Sequence, residues 1–360
     1  MSEASSAFRQ VVISVDYEIF GNGTGDVRQH VVDPTARMAR MCEKHGVPLT
    51  VFFEVEEYLA FVKYADELQR SLGCDPARLI RKQLTDLVRR GHDVQLHLHP
   101  QWFGARFENG GWRLRPEMET VDGLFESQEE VTRYIGERKA VIETMTGGRK
   151  VRAYRAGAFN AQPGQKLLGA LAANGIVIDS SVVKGLHRRN QHVCFDYRNA
   201  PVGKTMWRVR NDVATEDRSG AVWEIPIHAV PGRRFHQITW RRLKAKFSKN
   251  VPQGRQNEML ADLGVKANPV KFLWQPVPLK LDYHNVSPGR LRKWIQAAPP
   301  SNSEIDVMVT IGHTKEHTDD RGFEAFLSLV AGDANLRVVG FDEVAGQLDR
   351  GQGSVAGKPI

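Results

Sequence analysis

One punctuation pattern, repeated three times, constrains the fold of this chain more than any other feature. Asp33-Pro34 supplies an N-cap and a proline at the first helical position, Met38, Met41, Cys42 and His45 then share one face, and Gly46 stops the helix before the apolar run Pro48 to Val55. Asp75-Pro76 opens a second helix in the same way. Its apolar positions Leu79, Ile80, Leu84, Leu87 and Val88 face inward, and Gly91 releases the chain into a strand beginning near Asp93. Ser127 and Glu130 form a capping-box pattern ahead of Val131, Tyr134, Ile135, Val141 and Ile142, and Gly147-Gly148 precedes the strand Val151 to Ala156. A helix that ends on glycine and feeds a short buried strand, again and again, is the rhythm of an α/β fold with a parallel sheet.

The same reading predicts strands at Val11 to Glu18, Ile176 to Asp179, Val222 to Ala229, Ile305 to Gly312 and Leu336 to Phe341. Helices are predicted at Pro163 to Asn174, Ser287-Pro288 to Ala297 and Phe323 to Val330. So many units in one chain favour a barrel over an open sheet, and 360 residues at 41% hydrophobic content suffice for one barrel-sized domain. We expect that domain over residues 1–348. Two segments break the short-loop rhythm and read as insertions that build a substrate rim, 103–126 and 231–279, and residues 349–360 read as a flexible tail.

No run approaches the roughly 20 apolar residues of a membrane span, and Met1 to Gln10 lacks the basic and apolar regions of a secretory signal, so a cytoplasmic protein is expected. Cys42, Cys74 and Cys194 are odd in number and far apart, which points to free thiols rather than disulfides or a Cys-based zinc site. The formal charge of +8 is concentrated between Arg233 and Lys249. Such a cluster favours an anionic partner, or is simply a solvated basic face. No nucleic-acid-binding motif accompanies it, so no nucleic acid is expected, and phosphate on a small substrate or peripheral contact with an anionic membrane is the more fitting partner.

The chemistry-bearing residues sit at strand ends. Asp16 and Glu18 close an apolar strand on one face, and burying two carboxylates there requires a cation or hydrogen-bond donors. They could cap a helix or pair with Arg155, or divide the work of metal ligand and general base. His97 and His99, at i and i+2 on the next histidine-bearing strand, also share a face and read as metal ligands, most fittingly of Zn²⁺. His92 falls on the opposite face and reads as structural. Arg155, in Tyr154-Arg155-Ala156-Gly157, is placed to orient a carboxylate, and His313 follows a buried strand where an imidazole could protonate a leaving group. His228 and His284 are weaker candidates, lacking a second histidine at ligand spacing.

Taken in order, Ser14 to Glu18, Thr50-Val51-Phe52-Phe53, Gly91-His92-Asp93-Val94 leading to His97, Tyr154-Arg155-Ala156-Gly157, Ile178-Asp179-Ser180-Ser181, Glu224-Ile225-Pro226 and His313 together resemble the polysaccharide deacetylase, or NodB-homology, family of carbohydrate esterase family 4 type. The resemblance runs from about Val11 to Phe341 and implies a deformed (β/α)7 barrel of about seven strands. It further implies metal-dependent removal of acetyl or formyl groups from amino sugars. By motif position Asp16 resembles the general base, Glu18 the carboxylate ligand, His97 the first histidine ligand, Arg155 the residue orienting the base and His313 the general acid.

The chain departs from the family pattern at two places. The second acidic residue is Glu18, two positions after Asp16 rather than adjacent, and the position four after His97 is Gln101 rather than histidine. His99 therefore stands as the replacement ligand, with Gln101, Trp102, Tyr154 and His284 expected to contact substrate. Absence of a secretion signal resembles branches that work on nucleotide- or lipid-pyrophosphate-linked precursors of surface polysaccharide, such as lipopolysaccharide. Two other readings stay open: an amidohydrolase or phosphoesterase using the His-Leu-His pattern, and a metal-free barrel that binds glycan or scaffolds a complex.

Overall fold

The computed structural model describes residues 8–190, 193–237, 273–298 and 305–355. Fifteen strands are found among them: β1 Arg9–Tyr17, β2 Thr50–Glu54, β3 Asp93–Leu98, β4 Arg106–Glu108, β5 Gly111–Arg113, β6 Ala153–Ala156, β7 Ile178–Asp179, β8 His187–Arg189, β9 Cys194–Asp196, β10 Trp207–Val209, β11 Val222–Glu224, β12 Ala229–Arg233, β13 Pro276–Lys280, β14 Val307–His313 and β15 Leu336–Val338. The helices are α1 Asp33–Lys44, α2 Val55–Lys63, α3 Ala65–Leu72, α4 Pro76–Arg89, α5 Gln128–Met145, α6 Gln165–Ala173, α7 Pro288–Ala297, α8 Asp320–Ala331 and α9 Phe341–Val355. The main sheet runs β10-β11-β7-β6-β3-β2-β1-β14, with β15 also on β1. Every pairing in it is parallel except β10 with β11. Isolated bridges from Ile227 to Val183 and to Val309 draw the far edge back toward β14, so the sheet curls as a barrel does.

The helix punctuation works as the sequence suggests at two of its three places; Asp33 is not an N-cap, because the π-turn over Arg28–Val32 runs straight into α1 and Asp33 is already helical. The Asp75 side chain accepts from the Arg78 N–H at the head of α4, and Ser127 and Glu130 form the reciprocal capping box of α5. Alternation along the strands then divides the core in two. Val11, Ile13, Val15, Val51, Phe53, Leu96 and Tyr154 pack outward against Met38, Leu84, Val131, Ile135 and Leu171 of the helices. Val12, Phe52, Ala153, Ile178, Ile225, Val309 and Ile311 face the other way, onto Phe341, Val344, Ala345 and Leu348 of α9. The last helix thus fills the concave side of the sheet.

Several expectations shift. The predicted strand Pro48 to Val55 stops at Glu54, whose extended backbone and side chain cap α2, and neither α2 nor α3 was anticipated. The run Leu336 to Phe341 ends as a strand at Val338 because Phe341 starts α9, its N–H donating 2.8 Å to Asp93 Oδ2. That helix continues to Val355, into the segment read as a tail. Segment 103–126 carries the β4–β5 hairpin, and the outer arms of 231–279 pair as β12 and β13. The stretch 238–272, with Trp240 and most of the basic cluster, lies outside the described residues.

Candidate active site

The inward parity that builds the inner core also carries the site. On β1 it runs Val12, Ser14, Asp16; on β3 Gln95, His97; on β6 Ala153, Arg155; on β14 Val309, Ile311, His313. Parallel strands end on the same rim, and register aligns the residues there: Asp16 opposite His313, His97 opposite Arg155. Glu18 follows by the same parity just past the end of β1.

Arg155 is fully buried and anchors the base of the site. It donates from Nη1 to Asp16 Oδ1 at 2.6 Å, from Nη2 to Ser14 Oγ at 2.9 Å and from Nε to the Ser180 carbonyl at 3.1 Å, with its guanidinium 3.9 Å over the Phe52 ring. Burial alone pushes the Asp16 carboxyl up, but Arg155, His97 and His313 outweigh it and hold the group below its ordinary value. Asp16 is therefore a carboxylate at neutral pH. Its free oxygen, Oδ2, lies 3.5 Å from His313 Nε2. Burial pushes the His313 imidazole down, Lys315 and Lys280 adding to that effect and Glu316 and Asp16 opposing it, so the ring is neutral at rest.

His97 Nδ1 sits 2.9 Å from the Arg155 carbonyl, to which it can only donate, so in the neutral ring Nε2 carries the bare lone pair. That Nε2 is buried with no hydrogen-bond partner, 3.7 Å from Glu18 Oε2, while His99 Nε2 lies 2.8 Å from the same oxygen. Three donors about 2.1 Å from a tetrahedral ion stand roughly 3.4 Å apart, and these two gaps bracket that spacing. Glu18, His97 and His99 therefore fit a divalent metal, and the orphaned His97 nitrogen is the atom that asks for one. Burial works against a charge on His97, but Asp16 and Glu18 raise its pKa, so an ion must compete with a proton for Nε2. Gly157 makes room for this arrangement: a Cβ there would stand 2.5 Å from the His99 ring.

Glu18 itself is held well below the ordinary carboxylate range: burial opposes this, but the ammonium of Lys315, 2.6 Å from Oε1, and the neighbouring histidines prevail. Lys315 went unnoticed in the sequence because it lies in a short 3-10 turn after β14, where strand parity no longer applies. The cavity above these groups is about 200 Å³ and is lined by Asp16, Glu18, His99, His313 and Lys315 on its polar side and by Phe20, Ala158 and Phe159 among others. Ala158 and Phe159 hold left-handed backbone at φ 51° and 63°, a conformation that side chains rarely adopt outside functional turns.

The structure brings Asp16, Glu18, His97, His99, Arg155 and His313 together, but not the four residues expected to touch substrate. Gln101 does not line the cavity; its Nε2 donates 2.7 Å to the carbonyl of Gly21, which does. Trp102 is buried in an aromatic cluster with Phe61 and Trp112. Tyr154 faces the outer core, one residue out of phase with Arg155. His284 is buried beneath the site, where Nδ1 accepts from the His313 N–H at 3.2 Å and Nε2 meets His317 Nδ1 at 3.1 Å. His92 has both ring nitrogens engaged, by the Leu49 N–H and by Glu43.

Among solved structures, this chain is similar to a presumptive polysaccharide deacetylase from Mycobacterium smegmatis, with a TM-score of 0.50 and 14% identity over 98% of this chain and 94% of that one. A family 4 carbohydrate esterase from Streptomyces lividans, solved with acetate, aligns over 92% of each chain at 9% identity and a TM-score of 0.38. No protein-family model and no curated protein sequence matches the chain. The fold is that of the polysaccharide deacetylases, a NodB-like deformed α/β barrel. Among the described residues no helix is long and apolar enough to cross a membrane.

Proposed function

We propose that this protein is a metal-dependent hydrolase that removes an N-acetyl or N-formyl group from an amino sugar, carried on a nucleotide- or lipid-linked precursor of surface polysaccharide in the cytoplasm. The observation that carries the reading is the convergence of a carboxylate base and a neutral imidazole lining one cavity with a three-donor metal set that includes the orphaned, buried His97 nitrogen. Glu18, His97 and His99 would hold a divalent ion such as Zn²⁺, which would supply Lewis acidity toward the acyl carbonyl and lower the pKa of a water. Arg155 occupies Asp16 Oδ1 and leaves Oδ2 facing the cavity, where it removes a proton from that water as the water attacks. His313 Nε2, 3.5 Å from Oδ2, receives this proton and delivers it to the amine nitrogen as the C–N bond breaks. Acetate or formate and the free amino sugar leave. The basic run between Arg233 and Lys249 supports a phosphate-bearing carrier.

The test is acyl release from N-acetyl and N-formyl sugar nucleotides by the metal-loaded protein. Asp16→Asn and His313→Ala should each lower turnover by about 10²- to 10⁴-fold. Wild-type turnover in either variant refutes the assignment.

A further inference from the structure

One member of the metal donor set is already paired with a cation. Glu18 is almost fully buried, and both of its oxygens are engaged: Oε1 by the Lys315 ammonium at 2.6 Å and Oε2 by His99 Nε2 at 2.8 Å. The Lys315 side chain is only 6% exposed and is fixed by a second bond, 3.0 Å to the Ile19 carbonyl, while the Thr314 hydroxyl donates 3.3 Å to the Glu18 carbonyl and locks the two segments together. Lys315 thus gives Glu18 a counter-charge without any metal, as Arg155 gives one to Asp16. A divalent ion entering on Oε2 adds two positive charges beside an ammonium that has nowhere to retreat.

We propose that Lys315 is a resident competitor for the metal: its ammonium serves as the counter-charge of Glu18 in the metal-free protein, so that the empty site is stable and divalent ions load weakly. The inference rests on the functional reading above for where the ion sits. Two effects of the lysine oppose each other. By fixing Oε1 it orients the carboxylate toward the histidines, the kind of outer contact worth about 10- to 100-fold in metal affinity. Against that stands repulsion between a monovalent and a divalent cation sharing one carboxylate, roughly 5 Å apart, worth about 15-fold even at the dielectric constant of water and orders of magnitude more at the lower values of a buried site. Repulsion wins.

Titration of the 360-residue chain with Co²⁺, followed by calorimetry and by the visible absorption of the bound ion, tests this without reference to turnover. Lys315→Met should bind Co²⁺ at least about tenfold more tightly than wild type, and Lys315→Arg, which keeps the charge, should stay near wild type. Chelator treatment should leave the thermal midpoint of the wild type unchanged and lower that of Lys315→Met after metal loading. Should Lys315→Met not fold, as judged by circular dichroism, Lys315→Gln carries the same expectation. Equal or weaker binding by the neutral variants overturns the proposal, making Lys315 an orienting partner and leaving the deacetylase reading intact. Tighter binding by Lys315→Arg overturns it as well. No Co²⁺ binding by any of the proteins at millimolar concentration removes both this proposal and the metal-dependent function.

Discussion

At the scale of single residues, the site depends on small spatial allowances as much as on its donors. Gly157 follows Arg155 by one residue's parity, and its missing side chain is the space in which the His99 imidazole lies. Gly157→Ala should leave the fold intact, since Gly157 is not among the residues with left-handed backbone, yet push His99 off Glu18. We expect metal affinity to fall about 10-fold or more, comparable to loss of a supporting contact, with circular dichroism unchanged. Calorimetric titration with Co²⁺ checks this, and unaltered affinity would show that His99 is not a ligand. The six convergent residues were legible because β1, β3, β6 and β14 keep strict period two up to their last turn. Gln101 and Trp102 misled because the chain turns into a 3-10 helix at Pro100, and Lys315 escaped notice for the same reason.

At the scale of elements, β7 and β11 are joined by more than their backbone ladder. Asp179 and Glu224 face each other in register, both fully buried. Burial pushes Asp179 up to about 6 despite Glu224, Ser181 and Arg155, and burial together with the Asp179 charge pushes Glu224 well above its ordinary value. Asp179 Oδ2 and Glu224 Oε2 are both buried without a hydrogen-bond partner, and we expect one proton to be shared between the two carboxyls. A raised carboxyl binds a proton in the folded chain that the unfolded chain has released, so the stabilisation it gives is complete below the unfolded pKa near 4 and is lost as pH rises through the folded value. Glu224→Gln imitates the protonated partner and keeps an oxygen for the Val182 N–H, which Glu224 Oε1 accepts at 3.0 Å. Urea unfolding between pH 4.5 and 7 should show wild-type stability declining more steeply than that of Glu224→Gln. Parallel curves would mean that no proton is shared. Nothing in the sequence announced this pair, because the register joining Asp179 to Glu224 is a tertiary fact. The α2 helix was missed for a related reason: Glu54 to Glu57 looks like a charged strand end until the Glu54 carboxylate is seen accepting the His99 N–H at 2.8 Å.

At the scale of the whole molecule, the βα units written into the sequence explain the sheet and its outer helices, whereas the filling of the barrel came from α9, a helix not predicted, whose first residue was read as strand and whose end was read as tail. Short apolar runs such as Leu336 to Phe341 suit either element, and only the partner decides. Here the partner is the inner face of the sheet, and it links the far end of the barrel to the chemistry. Phe341, fully buried, meets Phe52 edge to face at 5.6 Å; Phe52 supports the Arg155 guanidinium at 3.9 Å; Arg155 holds Asp16 Oδ1 at 2.6 Å. Phe341→Ala should cost about 3–5 kcal/mol of stability, the usual loss for a buried phenylalanine. If the column also fixes the base, the variant should lose turnover at temperatures where it remains folded, with substrate KM little changed, because Phe341 touches no part of the cavity. Phe341→Leu, which keeps most of the volume, should recover stability and turnover together. Denaturant unfolding and acyl-release kinetics on the two variants decide the matter: a folded Phe341→Ala protein with full turnover would confine α9 to the core and leave Arg155 held by Ser14 and Ser180 alone.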